Sequence, residues 1–359
     1  MTLTFVHETL GQRVLFGTGL AREHLASEIE RHGASRVMVI AAEPEAELAG
    51  RLSAGLPVAL TWSDVAQHVP VDVAERARSA AHAQSIDLLV TVGGGSTTGL
   101  AKAIALTSGL PIIAVPTTYA GSEATNVWGL TEQARKTTGV DPRVLPAAVV
   151  YDAALTLSLP VGLSVASGLN AIAHCVDSMW APRTDPINRA LATEGIRALA
   201  GGLRAIHADS QSEEGREQSL YGAYLAAVAF ASAGSGMHHK ICHVLGGTYD
   251  LPHAQTHATV LPYVLAYNAP SAPGASARLA EAFGSADALD GLLQLKSDLD
   301  APRALRDYGF DEASIPEAAR VVVEAIPDSN PRPVTVASLE ELLREAWAGT
   351  PPTLNGTPA

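Results

Sequence analysis

Four histidines and one asparagine carry the chemistry this sequence offers. Asn170 and His174 stand four residues apart in SGLNAIAHCVDSM, His239 and His243 four apart in MHHKICHVLGG, and His253 follows in YDLPHAQTH. Four-residue spacing puts two side chains on one helix face, so each pair presents its groups together, with His253 expected just beyond a short Gly-rich turn. Imidazoles gathered in this way can ligate a divalent metal or move protons near neutral pH. The partner of His174 is an amide, where a metal would be better served by a carboxylate.

Those residues need helices to hold them, and the sequence supplies helices after a change of pattern. From Val37 to Asp152 short apolar runs alternate with helical stretches: RVMVIAA, PVALTW, IDLLVTV, PIIAVPTT and AAVVYD read as buried strands. GQRVLFGTG adds an earlier turn and strand, feeding a helix from about Leu20 to His32. This is the grammar of an α/β domain with a mostly parallel sheet and helices on its faces. After Asp152 the strands stop, and helical periodicity runs from Val165 through to Trp347. The expected organisation is an α/β dinucleotide-binding domain over residues 1–157 and an all-α substrate domain over 158–359. At 359 residues the chain exceeds one ordinary core, so two domains are the prior expectation.

A second chemical feature sits in the first domain. IDLLVTVGGGSTTGL places Gly93, Gly94, Gly95 and Ser96 after an apolar strand and at the start of a helix. There, backbone N–H groups can approach a phosphate closely and the helix dipole favours its charge. A tight strand-to-helix turn is the plainer reading, but three consecutive glycines cost entropy that a simple turn need not incur. The next strand leads into VPTTYAGSEATNVWGL, where Thr117, Thr118 and Ser122 offer hydroxyls at the carboxyl edge where open α/β sheets bind ligands. Lys136, in QARKTTG, is a further candidate for the ribose or phosphate.

Composition narrows the partners. A formal charge of −13 disfavours nucleic acid. No basic n-region precedes an apolar stretch at the start, and the most apolar segment, Tyr221 to Ala233, is too short and Ala-rich to span a bilayer, so a cytoplasmic protein without membrane partners is expected. Cys175 and Cys242 are too few for a disulfide framework and fit reduced, buried thiols.

Taken together, GGGS at Gly93 to Ser96, PTT at Pro116 to Thr118 with GSE at Gly121 to Glu123, Asn170 with His174, His239 with His243, and Pro252 with His253 resemble the iron-containing, or group III, alcohol dehydrogenase family, and within it the maleylacetate reductase branch. The resemblance covers nearly the whole chain. In metal-dependent members an Asp and three His bind iron or zinc, and the resemblance maps these onto Asn170, His174, His239 and His253. Asn170 departs from that pattern. A neutral amide is a poorer ligand than a carboxylate, and three imidazoles add no negative charge, so no functional metal is expected.

The activity implied by the resemblance is NAD(P)H-dependent reduction of the conjugated C=C of 2-maleylacetate to 3-oxoadipate, a step in aromatic-compound catabolism. Hydride addition there develops an enolate, which hydrogen-bond donors can stabilise in place of a Lewis acid. His243 is the first choice for proton transfer or enolate polarisation, with His174, His239 and His253 lining the pocket. The dicarboxylate needs cationic anchors, for which Lys240 and Arg332, in DSNPRPV, are candidates. NADH is preferred and NADPH left open, because VIAAEPE offers Ala41, Ala42 and then Glu43 where a ribose-binding residue is sought. A homodimer is the family expectation, and domain closure over the cleft is expected because the cofactor loop and the histidines lie on different domains. The competing readings are a metal-dependent alcohol or aldehyde oxidoreductase that tolerates Asn170, a dehydroquinate synthase or glycerol-phosphate dehydrogenase chemistry on a similar scaffold, and a dinucleotide sensor without turnover.

Overall fold

The computed structural model describes residues 3–132 and 135–352. Its contacts divide the chain into two compact units, Leu10–Leu159 and Pro160 onward, the latter joined by the residues up to Thr9. The expected boundary at 157/158 thus lies two residues earlier than the observed one. The first residues group with the helical unit, where His7 Nδ1 and Asp185 Oδ2 are 2.8 Å apart.

The first unit runs β1 (Arg13–Phe16), α1 (Ala21–Arg31), β2 (Val37–Ile40), α2 (Ala46–Ser53), β3 (Val58–Trp62), α3 (Val71–Ala83), β4 (Leu88–Gly93), α4 (Gly95–Ser108), β5 (Ile112–Pro116), β6 (Val127–Glu132), β7 (Arg135–Val140) and β8 (Ala148–Tyr151). Six strands form one sheet in the order β1-β8-β5-β4-β2-β3, and all its pairings are parallel. The apolar runs alternate between two cores, as strand periodicity demands. Val37 and Val39 pack with Leu25 and Ile29 of α1. Met38 and Ile40 face the other way, toward Ala74 and Ala77 of α3 and Leu100 and Ile104 of α4. β6 and β7 make a separate antiparallel hairpin that the sequence reading does not include. Its first strand has no fully buried position, and so it carries none of the apolar signature of the central strands.

The second unit is helical: α5 (Val161–Ser178), α6 (Pro186–Ala208), α7 (Glu213–Ala233), α8 (Met237–Tyr249), α9 (His253–Asn268), α10 (Pro273–Phe283), α11 (Ala288–Asp298), α12 (Ile315–Ala325) and α13 (Val336–Ala348). α5 is buried almost along its whole length, which its composition of Ala, Val, Ile, Leu and small polar residues permits. α6 and α7 approach closely because a Cβ on Gly202 would meet Ser219 at 2.5 Å and one on Gly222 would meet Leu199 at 2.7 Å. The expected Gly-rich turn before His253 is not a turn. Gly246 and Gly247 continue α8, which ends at Asp250 in the left-handed conformation. Among the described residues no single helix is long and apolar enough to cross a membrane.

Candidate active site

At the carboxyl edge of the sheet, the glycine loop and the hydroxyl loop stand side by side. Gly93 pairs with Pro116 in the parallel ladder, and Thr117 N–H donates to the Gly93 carbonyl at 3.1 Å. Gly93 has φ +149, and a Cβ there would lie 2.6 Å from Thr97 Oγ1. A Cβ on Gly94 would lie 3.0 Å from Thr118 Cγ2, so Gly93 is required by sterics and Gly94 is tightly packed against the hydroxyl loop. α4 starts at Gly95 with no side-chain cap, leaving its first-turn N–H groups available to an anion. Ser122 opens a 3-10 turn at Ser122–Ala124. Lys136 belongs to β7 by its backbone, and its side chain lies outside the described part of the structure.

The GSE motif has a structural reason as well. Glu123 is buried and accepts from the Tyr151 hydroxyl at 2.8 Å; burial pushes its carboxyl pKa up. Lys102 of α4, fully buried, donates to the Thr125 carbonyl at 2.8 Å, to Thr125 Oγ1 at 3.0 Å and to the Val127 carbonyl at 2.8 Å. It thereby ties the glycine-loop helix to the segment after GSE. Desolvation lowers its pKa to about 7, with the Glu123 charge opposing.

In the helical unit Asn170, His174 and His239 are all buried, with Asn170 one turn before His174 on α5. The His174 and His239 rings lie nearly parallel with centroids 4.8 Å apart, and Phe230 closes against both at 4.8 and 4.3 Å. His243 stands 6.1 Å from His239, ring to ring, and is half-buried. His253 is the first residue of α9 and is exposed. Lys240, half-buried, shares a face of α8 with His243 by its three-residue spacing.

Three groups in this cluster lie outside the sequence reading. Asp177 is the most informative. Its carboxylate accepts N–H bonds from Gly236, His238 and His239 at 3.1, 3.3 and 3.1 Å, and pairs with His239 Nδ1 at 2.7 Å. It therefore serves as an N-terminal cap for α8 delivered from α5, and Gly236 is the residue that lets it in, since a Cβ there would meet Asp177 Oδ1 at 2.6 Å. Because the carboxylate accepts, Nδ1 of His239 carries the proton and Nε2 is left with a lone pair. His238 and His257 form the other two, with His238 Nε2 and His257 Nδ1 2.9 Å apart and Cys242 Sγ 3.6 Å from His238 Nε2. A sequence signal exists for two of them: Asp177 follows His174 by three residues and His257 follows His253 by four, both same-face spacings.

Burial sets the protonation of this cluster. Desolvation lowers His174 to about 4 and His238 to about 3. His239 and His257 are held well below the ordinary histidine value, first by burial and then by neighbouring imidazoles. Asp177 is pushed up to about 6 by burial, against the pull of its N–H donors. These four imidazoles are thus neutral at pH 7. Asn170 Oδ1, His174 Nδ1, His239 Nε2 and His257 Nε2 are buried and bonded to no protein atom, a concentration of unused polar atoms that implies a polar ligand.

Arg332 is elsewhere. Its guanidinium lies 4.3 Å from the Tyr267 ring centroid. Tyr267 is fourteen residues along α9 from His253, about 20 Å at helical rise, so Arg332 does not lie beside His253.

The donor set fits a divalent cation poorly. Asn170 is a neutral amide, and the nearby carboxylate of Asp177 is occupied by four N–H groups. Among the described residues, the group of His, Cys or acidic side chains whose ligand atoms all lie within 4.8 Å of one another is His238, Cys242 and His257, not His174, His239 and His253. That trio is closed on itself by hydrogen bonds, and burial holds the Cys242 thiol well above its usual pKa, as a thiol.

Sequence profiles agree with the architecture of both units. Residues 11–153 match the iron-containing alcohol dehydrogenase profile, and residues 164–347 match the C-terminal profile of the Fe-containing alcohol dehydrogenase family. The chain belongs to the iron-containing alcohol dehydrogenase family. Within this family of oxidoreductases it is 46% identical over 353 residues to a maleylacetate reductase of Sphingobium indicum, covering 98% of this chain and 99% of that one. A maleylacetate reductase of Pseudomonas sp. strain P51 is 44% identical over 352 residues, covering 98% and 99%. Among solved structures, an iron-containing alcohol dehydrogenase from Corynebacterium glutamicum superposes with a TM-score of 0.95 at 60% identity, covering 98% of each chain. The maleylacetate reductase of Rhizobium sp. strain MTP-10005 gives 0.91 at 42% identity, covering 98% of this chain and all of that one.

Proposed function

We propose that this protein reduces the conjugated C=C of 2-maleylacetate to 3-oxoadipate with NADH, or with NADPH at lower efficiency, and does so without a metal ion. The observation that carries the reading is Asn170. In a chain alike over its full length to maleylacetate reductases, a buried amide with its oxygen unused stands one helical turn before His174, in place of the carboxylate that a cation would need.

The chemistry follows from the neutral cluster. Hydride from the nicotinamide adds to the alkene carbon β to the ketone, the electron pair moves to the ketone oxygen, and the α carbon then takes a proton. Placing a dianionic substrate against neutral imidazoles favours their protonation. His239 is best prepared to accept that proton, because the Asp177 carboxylate already holds its Nδ1–H; Nε2–H then donates to the enolate oxygen. His243, on the half-buried side of α8, delivers the proton to carbon, and Lys240 on the same face binds a substrate carboxylate. His174, His253 and Asn170 orient the ketone. In the other unit, Gly93 to Ser96 with Thr117, Thr118 and Ser122 bind the cofactor pyrophosphate and ribose, joined by Lys136. Glu43, in place of a basic residue, favours NADH over NADPH. The partner is a second copy of this chain, a reading supported by the edge strand β1, which exposes Val14 and Phe16. Two buried free cysteines suit the reducing cytoplasm.

The test follows NADH and NADPH oxidation in parallel, with fresh maleylacetate, on protein treated exhaustively with chelator. Turnover that survives supports the reading. A metal-dependent alcohol dehydrogenase is the second reading, favoured by the 60% identity to the Corynebacterium protein named an iron-containing alcohol dehydrogenase; silence with maleylacetate and metal-restored turnover of simple aldehydes would establish it.

A further inference from the structure

Helix α9 carries His253 and His257 in its first turns and has a proline, Pro262, in its interior. Proline has no N–H, and its ring crowds the carbonyl four residues earlier, so that carbonyl loses its ordinary partner. In α9 the carbonyl is that of Ala258, adjacent to His257 and fully buried. A buried carbonyl without a donor is destabilising, and the chain answers it from another helix. Lys296, in the last turn of α11, donates from Nζ to the Ala258 carbonyl and, at 2.8 Å, to the Pro302 carbonyl. The ammonium also lies near enough to His238 for its charge to lower that imidazole's pKa.

We propose that Lys296 is a positioning residue: it replaces the hydrogen bond that Pro262 removes from Ala258, and so fixes the amino-terminal half of α9 with the imidazoles of His253 and His257 on it. No carboxylate bond to Nζ accompanies these two carbonyl bonds among the described contacts, so the ammonium is committed to main chain, at a place where backbone position sets side-chain position. The functional consequence rests on the proposed catalytic use of this histidine cluster; the structural one does not.

Four proteins test it: the native chain, Lys296→Met, Pro262→Ala, and the double variant. Methionine keeps the volume of the stem and removes the donor, while Pro262→Ala restores a backbone N–H to the Ala258 carbonyl. The expected result is a fall in kcat for maleylacetate of about tenfold or more in Lys296→Met, with KM changed far less, and a loss of no more than about twofold when the same substitution is made in the Pro262→Ala background. The 15N resonances of the His253 and His257 side chains, read without substrate, should shift in Lys296→Met and return in the double variant. Equal losses in both backgrounds, unchanged histidine resonances, or an insoluble Lys296→Met that Pro262→Ala does not rescue would overturn the proposal. If the native chain does not reduce maleylacetate, the functional reading fails, and the resonances still decide the role of Lys296.

Discussion

Replacing Asp177 separates what its charge does for folding from what it does for chemistry. Asp177→Asn keeps the shape. With the amide oxygen in the Oδ2 position, three of the four N–H bonds survive, and only the 3.3 Å contact to His238 N–H is spoiled. A carboxyl raised from 3.8 to about 6 by burial has a net penalty of about 3 kcal/mol on its charged form, which the amide does not incur. Weakening the retained bonds from charge-assisted to neutral costs about 1 kcal/mol each, so the two effects nearly cancel. Stability of Asp177→Asn should therefore stay within about 2 kcal/mol of native. Asp177→Ala strands four buried N–H groups and should lose about 4 kcal/mol or more. Activity should behave differently. Without the carboxylate, protonated His239 loses its counter-charge, and kcat should drop about 100-fold in Asp177→Asn. Urea unfolding at pH 7 and steady-state kinetics on the same samples decide the matter. An Asn variant as unstable as the Ala variant, or one with native kcat, would refute the reasoning.

Two further predictions follow from the same geometry. Because His174, His238, His239 and His257 have folded pKa values depressed below 6.5, stability is present above pH 6.5 and lost as pH falls from there toward 4 and 3; Asp177, raised to about 6, offsets one proton between pH 6 and 3.8. Urea midpoints should drop between pH 7 and 5.5 by a stability on the order of 4 kcal/mol, and a flat profile would contradict the buried neutral cluster. Separately, Gly94→Ala, whose Cβ would meet Thr118 at 3.0 Å, should raise KM for the nicotinamide cofactor about tenfold while thermal unfolding shifts by only a few degrees; titrating NADH against both proteins checks it.

Much of this was legible because buried parallel strands and long amphipathic helices have strong periods. VMVI and LLVTVG announce themselves as strands buried on both faces, and the Asn170–His174 and His239–His243 spacings locate one face each of α5 and α8. The hairpin of β6 and β7 was hidden because VWGLTE and RKTTGV have neither a long apolar run nor a regular alternation, and no position of β6 is fully buried. Gly246 and Gly247 suggested a turn because local propensity disfavours glycine in helices, and the packed context of α8 overrides it. Asp177 was harder to see, since its role is to cap a helix sixty residues away. No local pattern encodes such a partner. An arginine in a loop likewise carries no information on which end of α9 it joins, and Arg332 joins the Tyr267 end.

The most direct test of the central claim is where the hydride goes. Maleylacetate is reduced by chelator-treated enzyme with NADH carrying deuterium at the transferred position, and the product is examined by NMR. The account predicts 3-oxoadipate with deuterium on the carbon next to the distal carboxylate, an intact ketone, and a rate unchanged by chelation. Deuterium on a carbinol carbon, or turnover only after iron or zinc is restored, would contradict it.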